Sequence, residues 1–119
     1  MDNCIFCKIA KGELPSRKVF EDDEVLAFHD IHPIAPVHFM IVPKRHVDSL
    51  AHCDSGYQNL LGKIMLLAPK LAQEQGLPDG FRLIVNTGKG GHQEVMHLHV
   101  HVIGGADRAP GMGETLKRL

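Results

Sequence analysis

The spacing of apolar positions changes period several times along the chain, and each change predicts an element. Ile5, Phe6 and Ile9 fall on neighbouring helical turns, so residues 4–11 read as a short helix that Gly12 stops before Leu14-Pro15. Three strand patterns follow: Lys18-Val19-Phe20, Glu24 to Phe28 after the acidic turn at 21–23, and His38 to Val42. Pro33, Pro36 and Pro43 bound the third pattern and set it off as part of an antiparallel meander. Ser55-Gly56-Tyr57-Gln58 has the form of a capping box. Behind it Leu60, Leu61, Ile64, Leu67, Ala68 and Leu71 recur at helical spacing until Gly76. Pro69 lies inside this long helix and should remove one hydrogen bond and kink the axis, giving either a bend or a weaker last third.

The period returns to two in Phe81 to Asn86, and after the glycine-rich stretch 87–92 it is two again in His97-Leu98-His99-Val100-His101-Val102-Ile103. The order is helix, three strands, helix, two strands, which predicts an α+β domain with a mostly antiparallel five-stranded sheet. Residues 104–119 lack apolar periodicity and read as an irregular tail.

The last strand pattern carries the chemistry. Alternation puts His97, His99 and His101 on one face, with Leu98, Val100 and Val102 on the other. Successive imidazoles then stand roughly 6 to 7 Å apart, near enough for one phosphate or one metal ion to touch two of them. From the residues alone the row is a solvated sheet face, a metal site, or a site where neutral imidazole attacks phosphorus.

Composition narrows the partners. A chain of 119 residues forms one domain, and its 44% hydrophobic and 23% charged residues are ordinary globular values. The 13 Lys+Arg against 14 Asp+Glu give a formal charge of −1, which excludes a polyanion-binding bias and so argues against long nucleic acid. No stretch resembles a signal peptide or reaches membrane-span length, which predicts a cytoplasmic protein without a membrane partner. Cys4-Ile5-Phe6-Cys7 has the spacing of a zinc or redox pair, and Cys53 has no evident partner.

The run His97 to Ile103 resembles the His-x-His-x-His-x-x signature of the histidine triad (HIT) superfamily. The similarity extends to Phe28-His29-Asp30-Ile31, Ala35 to Phe39, Ile41 to His46, Val85-Asn86 and Gly91 to Val95, in order and over about residues 4–105, as in the Hint branch. It implies a HIT-like fold, a homodimer joined across a two-fold axis, and a purine nucleotide-binding phosphoramidase. Such an enzyme cleaves the P–N bond of AMP-amine compounds through a nucleotidyl-histidine, with no cofactor required for catalysis.

By position, His99 is the implied nucleophile, with His97, His101 and His38 completing the catalytic set. Nucleotide contacts fall to Asp30 on the ribose, and to Ile31, Asn86, His92, Gln93, Glu94, His99 and His101; Ile5, Phe6, Ile9 and Phe28 form the purine pocket. Asn86, Gln93 and the backbone of 93–94 are expected to donate to phosphate oxygens. The resemblance also implies a structural zinc on Cys4, Cys7, His46 and His97, although free cysteines often serve as small buried hydrophobes.

Several positions depart from the family pattern: Glu94 where a serine is common, His92 for a glycine, Met96 for an aromatic, and no tryptophan anywhere. Leaving-group preference therefore does not transfer. Three other readings stay open: a nucleotide-binding or regulatory module, a dinucleoside polyphosphate hydrolase, and a metal-dependent hydrolase.

Overall fold

A computed structural model describes residues 3–105. The elements are α1 (Ile5–Ala10), β1 (Lys18–Glu21), β2 (Val25–His29), β3 (Val37–Pro43), α2 (Gln58–Glu74), β4 (Arg82–Ile84) and β5 (Val100–Gly104), in the expected order. The strands form one antiparallel sheet ordered β1-β2-β3-β5-β4, so the histidine-bearing strand lies inside the sheet and β4 takes the edge.

Alternation in the strands builds two apolar layers. Val25, Ala27, Phe39, Ile41, Val100 and Val102 meet Ile64, Ala68, Leu71 and Ala72 of α2 on one side. Leu26, Phe28, Met40 and Val42 meet Phe6 of α1 on the other. The central strands are thus buried on both faces, which is why they read as near-continuous apolar runs. Asp22 turns the chain from β1 into β2 by accepting the N–H groups of Glu24 and Val25, both at 2.8 Å.

Several expectations change in detail. The cap before α2 is Asp54, which accepts Gly56 N–H at 2.8 Å and opens a 3-10 turn at Ser55–Tyr57 in place of a capping box on Ser55. The helix runs unbroken through Pro69 to Glu74, and its last third is firmly held, with Ala68, Leu71 and Ala72 fully buried. Pro69 and Met65 both face solvent, so the carbonyl that Pro69 leaves without a donor is on the wet side. Gly76, at φ +92, ends the helix as its N–H returns to Gln73 O.

The β-ladder of the histidine strand covers only Val100–Gly104. Pro43 has no N–H to give, and its carbonyl accepts from the His97 ring at 2.7 Å; Leu98 N–H turns instead to Val47 O. Gly104, expected in the tail, is the last residue of β5 and pairs with Val37, while residues 106–119 of that tail lie outside the described residues. β4 is likewise shorter than the pattern 81–86. No helix among the described residues is long and apolar enough to cross a membrane.

Candidate active site

Phe28, Met40 and His101 stand in register across β2, β3 and β5 and form the floor of a cleft of about 580 Å³. Ile5, Phe6 and Ile9 of α1 form its roof. Asp30, Ile31, Glu94 and His99 complete the set of expected residues on its walls, with Ile31 86% exposed at the rim. Phe6 presents its ring edge-on to both Phe28, at 5.5 Å between centroids, and His99, at 5.2 Å. The expected purine pocket and the expected nucleophile thus share one apolar wall.

Hydrogen-bond partners fix the protonated nitrogen of each histidine. A carbonyl only accepts, so His99 Nδ1–H donates to His97 O at 2.7 Å and Nε2 keeps the lone pair. Ile34 N–H donates to His38 Nδ1 at 3.3 Å, which puts the His38 proton on Nε2. That proton is donated to His101 Nδ1 at 2.9 Å, with Asp30 Oδ2 at 3.3 Å from the same nitrogen. His101 therefore carries its own proton on Nε2, as a donor at the cleft floor. Asp30, His38 and His101 bring three ligand atoms together. We read them as a relay rather than a metal cage, because Ile34 N–H leaves no room for the Nδ1 proton that a ligating neutral His38 would need.

Burial keeps these rings neutral. It pushes the pKa of His99 and His38 below the ordinary value, and it pushes His101 down to about 3 with help from the neighbouring His99 and His38.

Behind Phe6, the ligand atoms of Cys4, Cys7, His46 and His97 lie within 4.8 Å of one another. His97 Nδ1 is 3.2 Å from Cys4 Sγ and 3.4 Å from Cys7 Sγ, and His46 Nδ1 is 3.2 Å from Cys7 Sγ. Each imidazole is oriented from behind: His97 Nε2–H by Pro43 O, His46 Nε2–H by Asp48 at 2.6 Å. Both Nδ1 lone pairs consequently face the sulfurs. Two thiols and two such nitrogens are the donor set of a closed tetrahedral zinc site, backed by a carboxylate and a carbonyl, so the residues fit the ion. Burial and the neighbouring Cys4 push the Cys7 thiol up to about 11, and a bound dication would favour its thiolate.

Other expected residues stand elsewhere. Asn86, His92 and Gln93 do not line the cleft, nor does the glycine-rich loop. Gln93 instead clamps that loop: its Nε2 donates to Asp48 O and Val95 O, its Oε1 accepts Gly88 N–H, and its own N–H goes to Gly88 O. The donors expected of Gln93 for phosphate are thus spent within the protein. Sequence reasoning missed Met40, whose place under the cleft follows from its register with His101, and Asp48, which stands two residues after His46. It also missed the polar wall formed by Ser16, Arg17, His29 and His32.

The HIT domain family profile matches residues 11–108. Protein HitA of Neisseria gonorrhoeae is 57% identical over 104 residues, spanning 87% of this chain and 97% of its own. A HIT family hydrolase from Legionella pneumophila Philadelphia 1 superposes with a TM-score of 0.86 at 47% identity, covering 90% of this chain and 96% of that one. A histidine triad protein from Clostridium difficile does so with a TM-score of 0.86 at 49% identity, over 92% and 96%. Agreement in sequence and in backbone over some nine tenths of the chain makes this protein a member of the histidine triad (HIT) family.

Proposed function

We propose that the protein is a hydrolase of the Hint type, cleaving the P–N bond of purine nucleoside 5'-phosphoramidates. The observation that carries this reading is the His99 Nδ1–H bond to His97 O, which leaves a neutral, buried ring with its Nε2 lone pair in a cleft of nucleotide size. His99 Nε2 attacks phosphorus as the P–N bond breaks, and the amine departs after taking a proton from water at the open mouth of the cleft. Negative charge on the phosphoryl oxygens is met by His101 Nε2–H, held in that tautomer by His38. Water then breaks the P–Nε2 bond, giving the nucleoside monophosphate and restoring His99. Asp30 meets the ribose hydroxyls, and the purine lies between Phe6, Ile9 and Phe28.

Cys4, Cys7, His46 and His97 would hold a zinc ion. When bound it supplies cross-linking rather than catalysis, since all four positions are protein donors. The same residue His97 gives a ring to that centre and a carbonyl to the nucleophile, so the two are mechanically joined. A homodimer that covers the β4 edge would account for the half-exposed strand there.

The test is hydrolysis of an adenosine phosphoramidate of a simple amine. Turnover is expected, with His99→Ala losing nearly all of it and still binding AMP. Absence of turnover would leave a nucleotide-binding module, and a strong preference for a dinucleoside polyphosphate would move the protein to another HIT branch. Retained turnover in His99→Ala would overturn the mechanism.

A further inference from the structure

Helix α1 roofs the cleft and carries two sulfurs. Ile5, Phe6 and Ile9 line the cleft, while Cys4 at the N-cap and Cys7 in the first turn bracket Ile5 and Phe6. Both cysteines are free, Cys4 half-buried and Cys7 buried. Their sulfurs lie within 4.8 Å of each other, and Cys7 N–H donates to Cys4 Sγ at 3.2 Å.

The same sulfurs fasten the helix. Among the described residues, every hydrogen bond from residues 4–10 to the body of the fold ends on one of them. Cys4 Sγ meets His97 Nδ1 at 3.2 Å, and Cys7 Sγ meets His46 Nδ1 at 3.2 Å and His97 Nδ1 at 3.4 Å. The backbone groups of this stretch close among residues 4–13. What else holds α1 is apolar packing, chiefly the Phe6 ring against Phe28, His97 and His99.

A disulfide holds its sulfurs about 2 Å apart, so to form one each sulfur must turn from its imidazole toward the other. We propose that Cys4 and Cys7 are an oxidisable dithiol: a peroxide converts the pair to a disulfide, which unfastens α1 and opens the roof of the cleft. The Cys4 sulfur, nearer to solvent, attacks one peroxide oxygen; the O–O bond breaks, leaving a sulfenic acid and one water. The Cys7 sulfur then attacks the Cys4 sulfur, the S–O bond breaks, and the hydroxyl leaves with the Cys7 proton as a second water. Two thiols are oxidised and one peroxide is reduced. A bond inside α1 thereby replaces the links from α1 to His46 and His97, and a zinc ion would lose two of its four donors. The expected loss of nucleotide affinity rests on the nucleotide reading of the cleft, whereas the disulfide and the loosened helix do not.

The experiment treats the full chain, as purified, with hydrogen peroxide and follows it by peptide mass spectrometry, amide hydrogen exchange and AMP titration. The peptide holding Cys4 and Cys7 should lose two hydrogens, and any zinc carried by the protein should be released with them. Amide exchange in residues 5–11 should quicken about ten-fold while that of α2 stays constant. AMP should bind about ten-fold more weakly, the low end for losing an aromatic contact to a base. A thiol reductant with zinc resupplied should reverse all of these changes. Cys53→Ser, which removes the one other cysteine, should respond as the unaltered chain does, and Cys4→Ser should show no disulfide. Oxidation that stops at a sulfinic acid, or a disulfide that runs to Cys53 or between chains, would overturn the assignment, however well Cys4→Ser folds. So would a Cys4–Cys7 disulfide that leaves the exchange of α1 unchanged. A loosened α1 with unaltered AMP affinity would overturn the part of the roof in nucleotide binding and leave the dithiol in place. Failure of the reduced chain to bind AMP would overturn the nucleotide reading alone.

Discussion

Replacing His38 by alanine tests the hydrogen-bond relay beneath the cleft. The His38 side chain is 0% exposed, accepts Ile34 N–H at 3.3 Å and donates to His101 Nδ1 at 2.9 Å. Its removal leaves the buried His101 Nδ1 and the half-buried Ile34 N–H without partners, and a hole the size of an imidazole. The His101 acceptor should cost about 1 to 2 kcal/mol, with the longer Ile34 bond and the cavity adding about 1 kcal/mol each, for a loss of about 3 to 4 kcal/mol. For 119 residues the unfolding entropy is about 0.25 kcal/mol per kelvin, so the midpoint should fall by about 12 to 16 °C. Turnover should suffer separately. Once His101 can carry its proton on Nδ1, the donor at the cleft floor is lost for part of the population. Losing such a donor outright costs 100- to 1,000-fold, so a 10- to 100-fold fall in kcat is expected. His38→Gln keeps an N–H near the position of Nε2 and should recover most of the activity. Thermal melts, phosphoramidate turnover and the ¹⁵N shifts of the His101 ring separate the two effects. A variant that loses stability but keeps both kcat and the His101 tautomer would refute the relay.

Acid should destabilise the fold, because burial holds His38 below its ordinary pKa and burial with His99 and His38 holds His101 at about 3, whereas both titrate near 6.5 when unfolded. Their contribution is complete above pH 6.5 and is lost as pH falls toward 3, so melts of chelator-treated protein should decline through that window; a flat profile would contradict this. His92 stands at φ +57 and ψ +38, which costs a side chain about 1 kcal/mol, so His92→Gly should raise the midpoint by about 2 to 4 °C, and a fall would count against the strain. Purified protein should carry one zinc per chain by elemental analysis. Chelation or Cys4→Ser should lower the melting temperature first and activity second, through the His97 carbonyl; an unchanged melt would remove zinc from the account.

The fold was legible wherever one local pattern decided it. The period of two through His99, Val100, His101 and Val102 assigned faces correctly, since side-chain alternation depends only on neighbouring residues. Helix α2 was legible through Pro69, but the predicted weakness there was wrong: the pattern did not say that the unpaired carbonyl would face water. Strand ends were less legible. The ladder of β5 starts at Val100 because Pro43 and Val47, far away in sequence, decide what His97 and Leu98 do.

The site divided along the same line. The Cys4, Cys7, His46 and His97 cluster and the His99 cleft were expected from the resemblance, and the structure brings both sets of residues together. The commitment of Gln93 to Asp48, Val95 and Gly88 was not legible, because a side-chain amide has the same composition whether it faces phosphate or its own loop.

The covalent step is the centre of the account, and rapid acid-free quenching during phosphoramidate turnover, followed by peptide mass spectrometry, addresses it directly. A nucleoside monophosphoryl group should appear on the peptide containing His99, at Nε2, and should decay as the nucleoside monophosphate forms. Turnover with no such adduct, or with the adduct on His97 or His101, would contradict the assignment of His99 as nucleophile.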